Sequence, residues 1–268
     1  LSKQMIGKVK IFTLNFLCVL MSYCLMLHQT YKSDHIVAAV DKSLGNTLTF
    51  AQTASNNISA GRPLNIIFNL INRFFGLFSV DKNHNQYVLH IFVFILLAII
   101  TVELYQMFSE LFNFNCFSLM LDVIILIGFI NPIFLEVITW MGYEHAIAIL
   151  LSGVVSVRLF LNKHYVWTFI SLWIAISIYQ SYYAPFLIYL FAYIFIANKC
   201  RNNRSVLKLY FKGLLIDALA IITNLMSVKI FTAIMHTQEV KKTSLFSGID
   251  VSEKWRNICR WIGIVIGQ

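Results

Sequence analysis

The chain has 268 residues, of which 59% are hydrophobic and 12% charged, about half the charged share of an ordinary soluble domain. With 23 Phe, 12 Tyr and 5 Trp against 3 Pro, it lacks the polar surface of a cytosolic enzyme, the composition of a disordered chain and the cysteine spacing of a disulfide scaffold or zinc site. The formal net charge of +9 comes without a zinc-finger or RNA-binding pattern, so it reads as basic loops set against anionic lipid, with no nucleic acid as partner.

An all-α, polytopic membrane protein satisfies these constraints, because lipid accepts apolar surface that water would not. A bilayer core takes roughly 17–25 apolar residues as helix. Residues 11–27 make the first expected span, preceded by Lys3, Lys8 and Lys10; no small-residue cleavage site follows, so it reads as retained. Residues 28–86 form a long loop. Within it, 63–80 is apolar but interrupted by Asn65, Asn69, Asn72 and Arg73 at steps of three and four, a polar stripe that fits a helix lying in the membrane interface.

Further spans are expected at 87–108, 116–130, 146–161, 165–179, 183–197 and 213–234, about seven in all. Asn131-Pro132 ends the third. Residues 199–212 are basic and polar, and 236–260 form a second long polar segment. The chain starts at Leu-Ser-Lys without Met and stops inside a new apolar run, which reads as truncation of at least one end of a single membrane-embedded domain. Placing the N-terminus in the cytoplasm puts Arg158, Lys163, Lys199, Arg201, Arg204, Lys208 and Lys212 inside, and leaves the short loops at 131–145 and 180–182 without Lys or Arg. The first long loop, the Asn131 loop and the Gln180 corner then share the outer face.

Those outer segments carry the candidate chemistry. Asp34, next to His35, is a carboxylate at a membrane surface, where a low-dielectric neighbourhood raises its basicity towards a sugar hydroxyl; a solvated loop is the plainer reading. In Gly61-Arg62-Pro63-Leu64, Pro63 suits the first position of a helix, so Arg62 would stand at a helix N-terminus and hold phosphate; pairing with lipid headgroups is the plainer reading. Asn131 and Glu136 lie in a Pro-broken segment that continues to Trp140, Tyr143, Glu144 and His145. Gln180, in Tyr179-Gln180-Ser181-Tyr182, can both donate to and accept from sugar hydroxyls, in what is otherwise an aromatic belt. Glu103, Asp122, Asp217 and Lys229 are charges within apolar runs; Asp217 is expected to pair with Lys212 or Lys208, and Asp122 is either a structural partner or a proton or substrate group. Walker A, HExxH, GxSxG and GxGxxG patterns are absent.

The order Ser-Asp-His, Gly-Arg-Pro-Leu, Asn-Pro-Ile-Phe-Leu-Glu, Tyr-Gln-Ser-Tyr resembles the bacterial and bacteriophage O-antigen glucosyltransferases of the type II serotype-converting kind, over about residues 5–235. The resemblance implies a GT-C-like enzyme of the bacterial inner membrane with its active site on the outer face. It would move a hexose, glucose, from a polyprenyl-phosphate carrier to a surface polysaccharide such as O-antigen, with a donor synthase and a flippase as partners. Asp34 would be the catalytic base, although the family's second acid is His35 here. His35, Arg62, Asn131, Glu136 and Gln180 would bind substrate. No metal is needed, and a divalent cation bridging Asp34 and phosphate stays open. The alternatives are a flippase or transporter of lipid-linked sugar, and a polysaccharide polymerase.

Overall fold

The computed structural model describes residues 3–23, 57–58, 60–74, 84–111, 119–130, 143–197 and 204–234. Among them every regular element is helical and there is no strand. We number the helices α1 (Lys3–Tyr23), α2 (Asn65–Phe74), α3 (His84–Leu111), α4 (Leu119–Ile130), α5 (Tyr143–Leu161, with a π-helical stretch at Leu150–Val155), α6 (Tyr165–Ile178), α7 (Tyr183–Ala197) and α8 (Arg204–Ile234).

Among the described residues, four helical stretches are long and apolar enough to cross a membrane: His90–Leu111, Tyr143–Leu161, Gln180–Ala197 and Val206–Ile234. Leu119–Ile130 and Tyr165–Ile178 are apolar but shorter. The segment at 199–212, expected to be a polar connection, is helical from Arg204 onward, so α8 extends through the basic residues. Lys, Arg and Leu are good helix formers, and hydropathy alone misses a helix end that projects beyond an apolar core. The interfacial helix expected at 63–80 is described as Asn65–Phe74, with Ile67, Leu70 and Ile71 exposed.

Cross-helix pairs fix the relative directions. Asn15 meets Thr101 and Tyr23 stacks on Phe94, so α1 and α3 are antiparallel. Asn15 also meets Asp122, and the Tyr23 hydroxyl donates to the Phe129 carbonyl, so α1 and α4 run the same way. Phe92 lies against Tyr143 and Glu103 pairs with Arg158, making α3 and α5 parallel. His145 packs on Tyr179 and Phe160 on Tyr165, which makes α5 and α6 antiparallel. Ser177 bonds Asn224 while Lys212 sits over Tyr165, so α6 and α8 are parallel. Leu190 lies at Gly213 and Phe191 meets Tyr210, so α7 opposes α8.

Directions therefore alternate from α3 to α8 in chain order. Two ends result. One carries Arg158, Lys163, Lys208 and Lys212, together with the start of α1 at Lys8 and Lys10. The other gathers the corner at Gly61–Leu64, the start of α5 and the link between α6 and α7.

The intramembrane charges are resolved differently from one another. Arg158 Nη2 lies 2.7 Å from Glu103 Oε2, which neutralises that carboxylate near the basic end. The expected pairing of Asp217 with Lys212 or Lys208 is not formed. Lys212 Nζ instead lies 3.6 Å from the centroid of the Tyr165 ring, and Asp217 is buried with Oδ1 unpartnered. The physical reason is helical geometry: Asp217 turns towards the interior of the bundle, while the ammonium is held at the helix start by an aromatic face. At mid-chain, the π-turn of α5 lets the Leu151 carbonyl accept from the Ser156 backbone N–H and hydroxyl and from the Ser171 hydroxyl. Gly153 is required there, because a Cβ would stand 2.7 Å from the Tyr189 ring.

Candidate functional site

The site begins at Gly61. The Arg62 N–H donates to the Asn57 carbonyl and the Gly61 N–H to the Ile58 carbonyl, both at 2.8 Å, and Gly61 has φ +77°. These are the two hydrogen bonds and the left-handed residue of a Schellman stop, and Pro63 follows where a helix cannot continue. Gly61-Arg62-Pro63 thus closes the helical turn at 57–58. It does not open the next helix, because Pro63 and Leu64 form a turn and α2 starts at Asn65. The sequence expectation of Pro63 at the first helical position is corrected accordingly. The early N–H groups of α2 are also spent: Asn65 donates to the Arg62 carbonyl and Ile67 to the Leu64 carbonyl. An anion at this corner would be held by the Arg62 guanidinium, with little help from the helix end.

The corner docks on the end of α6. The Leu64 N–H donates to the Ser177 carbonyl at 3.3 Å, one of the carbonyls that a helix C-terminus leaves without an internal partner. The Arg62 guanidinium carbon lies 4.3 Å from the centroid of the Tyr179 ring. Such a cation–π contact contributes about 0.5–2 kcal/mol, and it leaves the edge of the guanidinium fork free of that ring. Gln180, opening the short 3-10 turn Gln180–Tyr182, lies directly over Gly61, where a Cβ would overlap its Nε2. Asn224 of α8 completes the clamp: its Nδ2 donates to the Gly61 carbonyl at 3.4 Å, and its Oδ1 accepts from the Ser177 hydroxyl at 2.8 Å.

On the neighbouring side stand α5 and the α6–α7 link. His145 and Tyr182 are buried, and His145 Nδ1 shares a 2.6 Å hydrogen bond with the Tyr182 hydroxyl. The His145 ring also packs on Tyr179, with centroids 5.1 Å apart. The carboxylate of Glu144 and the guanidinium of Arg62 are both within electrostatic reach of the Tyr182 hydroxyl. Tyr143, expected at the membrane interface, is buried between Phe68 and Phe92.

Two of the sequence candidates, Arg62 and Gln180, are therefore brought to one corner. Asp34, His35, Asn131 and Glu136 lie outside the described residues. His145, Tyr179, Tyr182, Ser177 and Asn224 join the corner without having been counted as site residues. His145 follows an acid at the start of an apolar run, a signal already visible. Asn224 had one too, a lone amide within an apolar span. No group of three or more His, Cys, Asp or Glu that could hold a metal ion occurs among the described residues. Comparison with known protein families, with characterised proteins and with solved structures gives no match to this chain.

The clamp makes a prediction. Asn224→Ala leaves the Gly61 carbonyl and the Ser177 hydroxyl buried without their partner, at about 1–3 kcal/mol. Protease susceptibility at the 57–64 corner should rise while the bundle stays folded in the membrane. Unchanged cleavage there would show that Asn224 does not hold the corner.

Proposed function

We propose that the chain is a multi-pass membrane glycosyltransferase that moves a hexose from a polyprenyl-phosphate carrier to a surface polysaccharide. The carrying observation is the corner itself, where Arg62 is fixed over Tyr179 at the end of the bundle opposite the basic residues. The alternating helix directions support a seven-pass arrangement, and the Lys/Arg bias favours the basic end as cytoplasmic. Arg62, Gln180, Glu144 and His145 would then face the outer side of a bacterial inner membrane. That is where a lipid-linked sugar presents its phosphate at headgroup depth.

The acceptor hydroxyl attacks the anomeric carbon as the bond from that carbon to the phosphate oxygen breaks. The proton passes to Asp34, and the electron pair leaves on the polyprenyl phosphate. Arg62 neutralises the charge that grows on that phosphate, a stabilisation stronger in the transition state than in the ground state. Gln180, Asn131 and Glu136 bond sugar hydroxyls, with His35 beside the base, and the isoprenoid lies along the lipid-facing helices. Direct displacement inverts the anomeric centre. Glucose as the sugar, O-antigen as the acceptor, and a separate donor synthase and flippase are what the resemblance to the serotype-converting enzymes adds.

Asp34→Asn is expected to abolish transfer with the protein still inserted and folded; full transfer by that variant would remove Asp34 as the base. Deleting the gene in its host and solving the surface polysaccharide by NMR tests the whole reading. The expected result is loss of one side-branch hexose on an unchanged backbone. A second reading, a transporter of lipid-linked sugar, is favoured by the π-turn at Leu150–Val155, since interrupted helices mark moving elements in transporters. It predicts loss of the whole polymer.

A further inference from the structure

Far along α1 from Tyr23, three polar side chains meet at the junction of α1, α3 and α4. Asn15, Thr101 and Asp122 are each fully buried. Asn15 Nδ2 donates to Thr101 Oγ1 at 3.1 Å and to Asp122 Oδ1 at 3.0 Å. The Thr101 hydroxyl spends its own hydrogen on the Ala98 carbonyl at 2.9 Å, so it turns lone pairs to the cluster. Asn15 Oδ1 and Asp122 Oδ2 are buried without a hydrogen-bond partner among the described residues. The cluster is thus rich in acceptors. Ionised, Asp122 would give it one negative charge, and among the described residues no cationic side chain pairs with Asp122.

An uncompensated carboxylate in an apolar bundle is among the costliest arrangements in a membrane protein, and such groups mark ion or proton sites by default. The oxygen and nitrogen of an amide differ little in size, so a turn of the Asn15 amide exchanges donor for acceptor without repacking. The turned amide oxygen would then stand 3.1 Å from Thr101 Oγ1 and 3.0 Å from Asp122 Oδ1, with Asp122 Oδ2 as a further acceptor on the same side chain. Oxygen-only ligands select a hard cation. A single carboxylate balances a single positive charge, whereas a divalent ion would leave net charge in the apolar interior. Separations of 3.0 and 3.1 Å from the amide position to its two oxygen neighbours leave little room for a large ion, which favours sodium over potassium.

We propose that Asn15, Thr101 and Asp122 form a buried binding site for one sodium ion that ties α1 to α3 and α4. The site lies on other helices than the Arg62 corner and does not depend on the reaction assigned to that corner.

The test is thermal unfolding of the full chain in detergent micelles, at constant pH and ionic strength, with sodium, potassium or choline chloride. Sodium should raise Tm saturably by a few degrees over choline, with potassium weaker. Asp122→Asn should lose the sodium response. If that variant does not fold, Thr101→Val, which keeps the charge, should raise the half-saturating sodium concentration at least about tenfold. Equal Tm in sodium and choline would overturn the proposal. So would a Tm that follows pH and ignores sodium, since a proton on Asp122 would then be the occupant. Because Tm is read, and not sugar transfer, the result stands apart from the success or failure of the transferase reading.

Discussion

Arg62→Ala is expected to cut sugar transfer by roughly 10²–10³-fold, the range seen when one preorganised donor to a developing anion is removed. The loss should fall mainly on kcat, because the charge on the departing phosphate is greatest in the transition state. Arg62→Lys should recover only part of the rate. A lysine keeps the charge but has no planar face for Tyr179 and no fork for two phosphate oxygens. In vitro transfer from a short-chain polyprenyl-phosphate glucose, with kcat and KM separated, checks both variants. Wild-type kcat in Arg62→Ala would leave the arginine as a lipid-headgroup anchor.

Gly61→Ala should be almost as damaging, for a different reason. The residue sits at φ +77°, where a Cβ costs about 1–2 kcal/mol, and that Cβ would overlap the Gln180 side chain. Overpacking of this kind adds about 1–3 kcal/mol. The corner rather than the bundle should give way, because the surrounding helices are held by their own core. Transfer should therefore fall while helix content and membrane insertion persist. The double variant Gly61→Ala with Gln180→Ala should recover the steric part of the loss and keep the backbone part. Equal activity in the single and double variants would mean that Gln180 does not press on Gly61.

Much of this architecture was legible from hydropathy. The helices around 87–108, 146–161, 165–179 and 183–197 stand within a few residues of their expected places, because a long apolar run bounded by polar residues admits few alternatives. The α6–α7 link at Tyr179–Tyr182 was found for the same reason. What could not be read was partnership. Gly-Arg-Pro is compatible with the end of one helix or the start of the next, and only the two hydrogen bonds to Asn57 and Ile58 decide for the end. Asp217 has basic neighbours along the chain, yet its direction on α8 takes it away from them. Asn224 and Ser177 are 47 positions apart, and their meeting depends on the parallel alignment of α6 and α8, which no local pattern carries. Apolar periodicity reports what a helix face touches in bulk, lipid or protein. It does not report which single polar atom waits on the facing helix.

That last pairing has a consequence in time. Asn224 reaches back across 163 residues to the Gly61 carbonyl. At a synthesis rate of about 5–20 residues per second, the ribosome needs roughly 8–33 s to make that stretch. For most of that interval the Arg62 corner lacks its last clasp. On the transferase reading, the nascent chain gains a complete Arg62 corner only once α8 has been inserted.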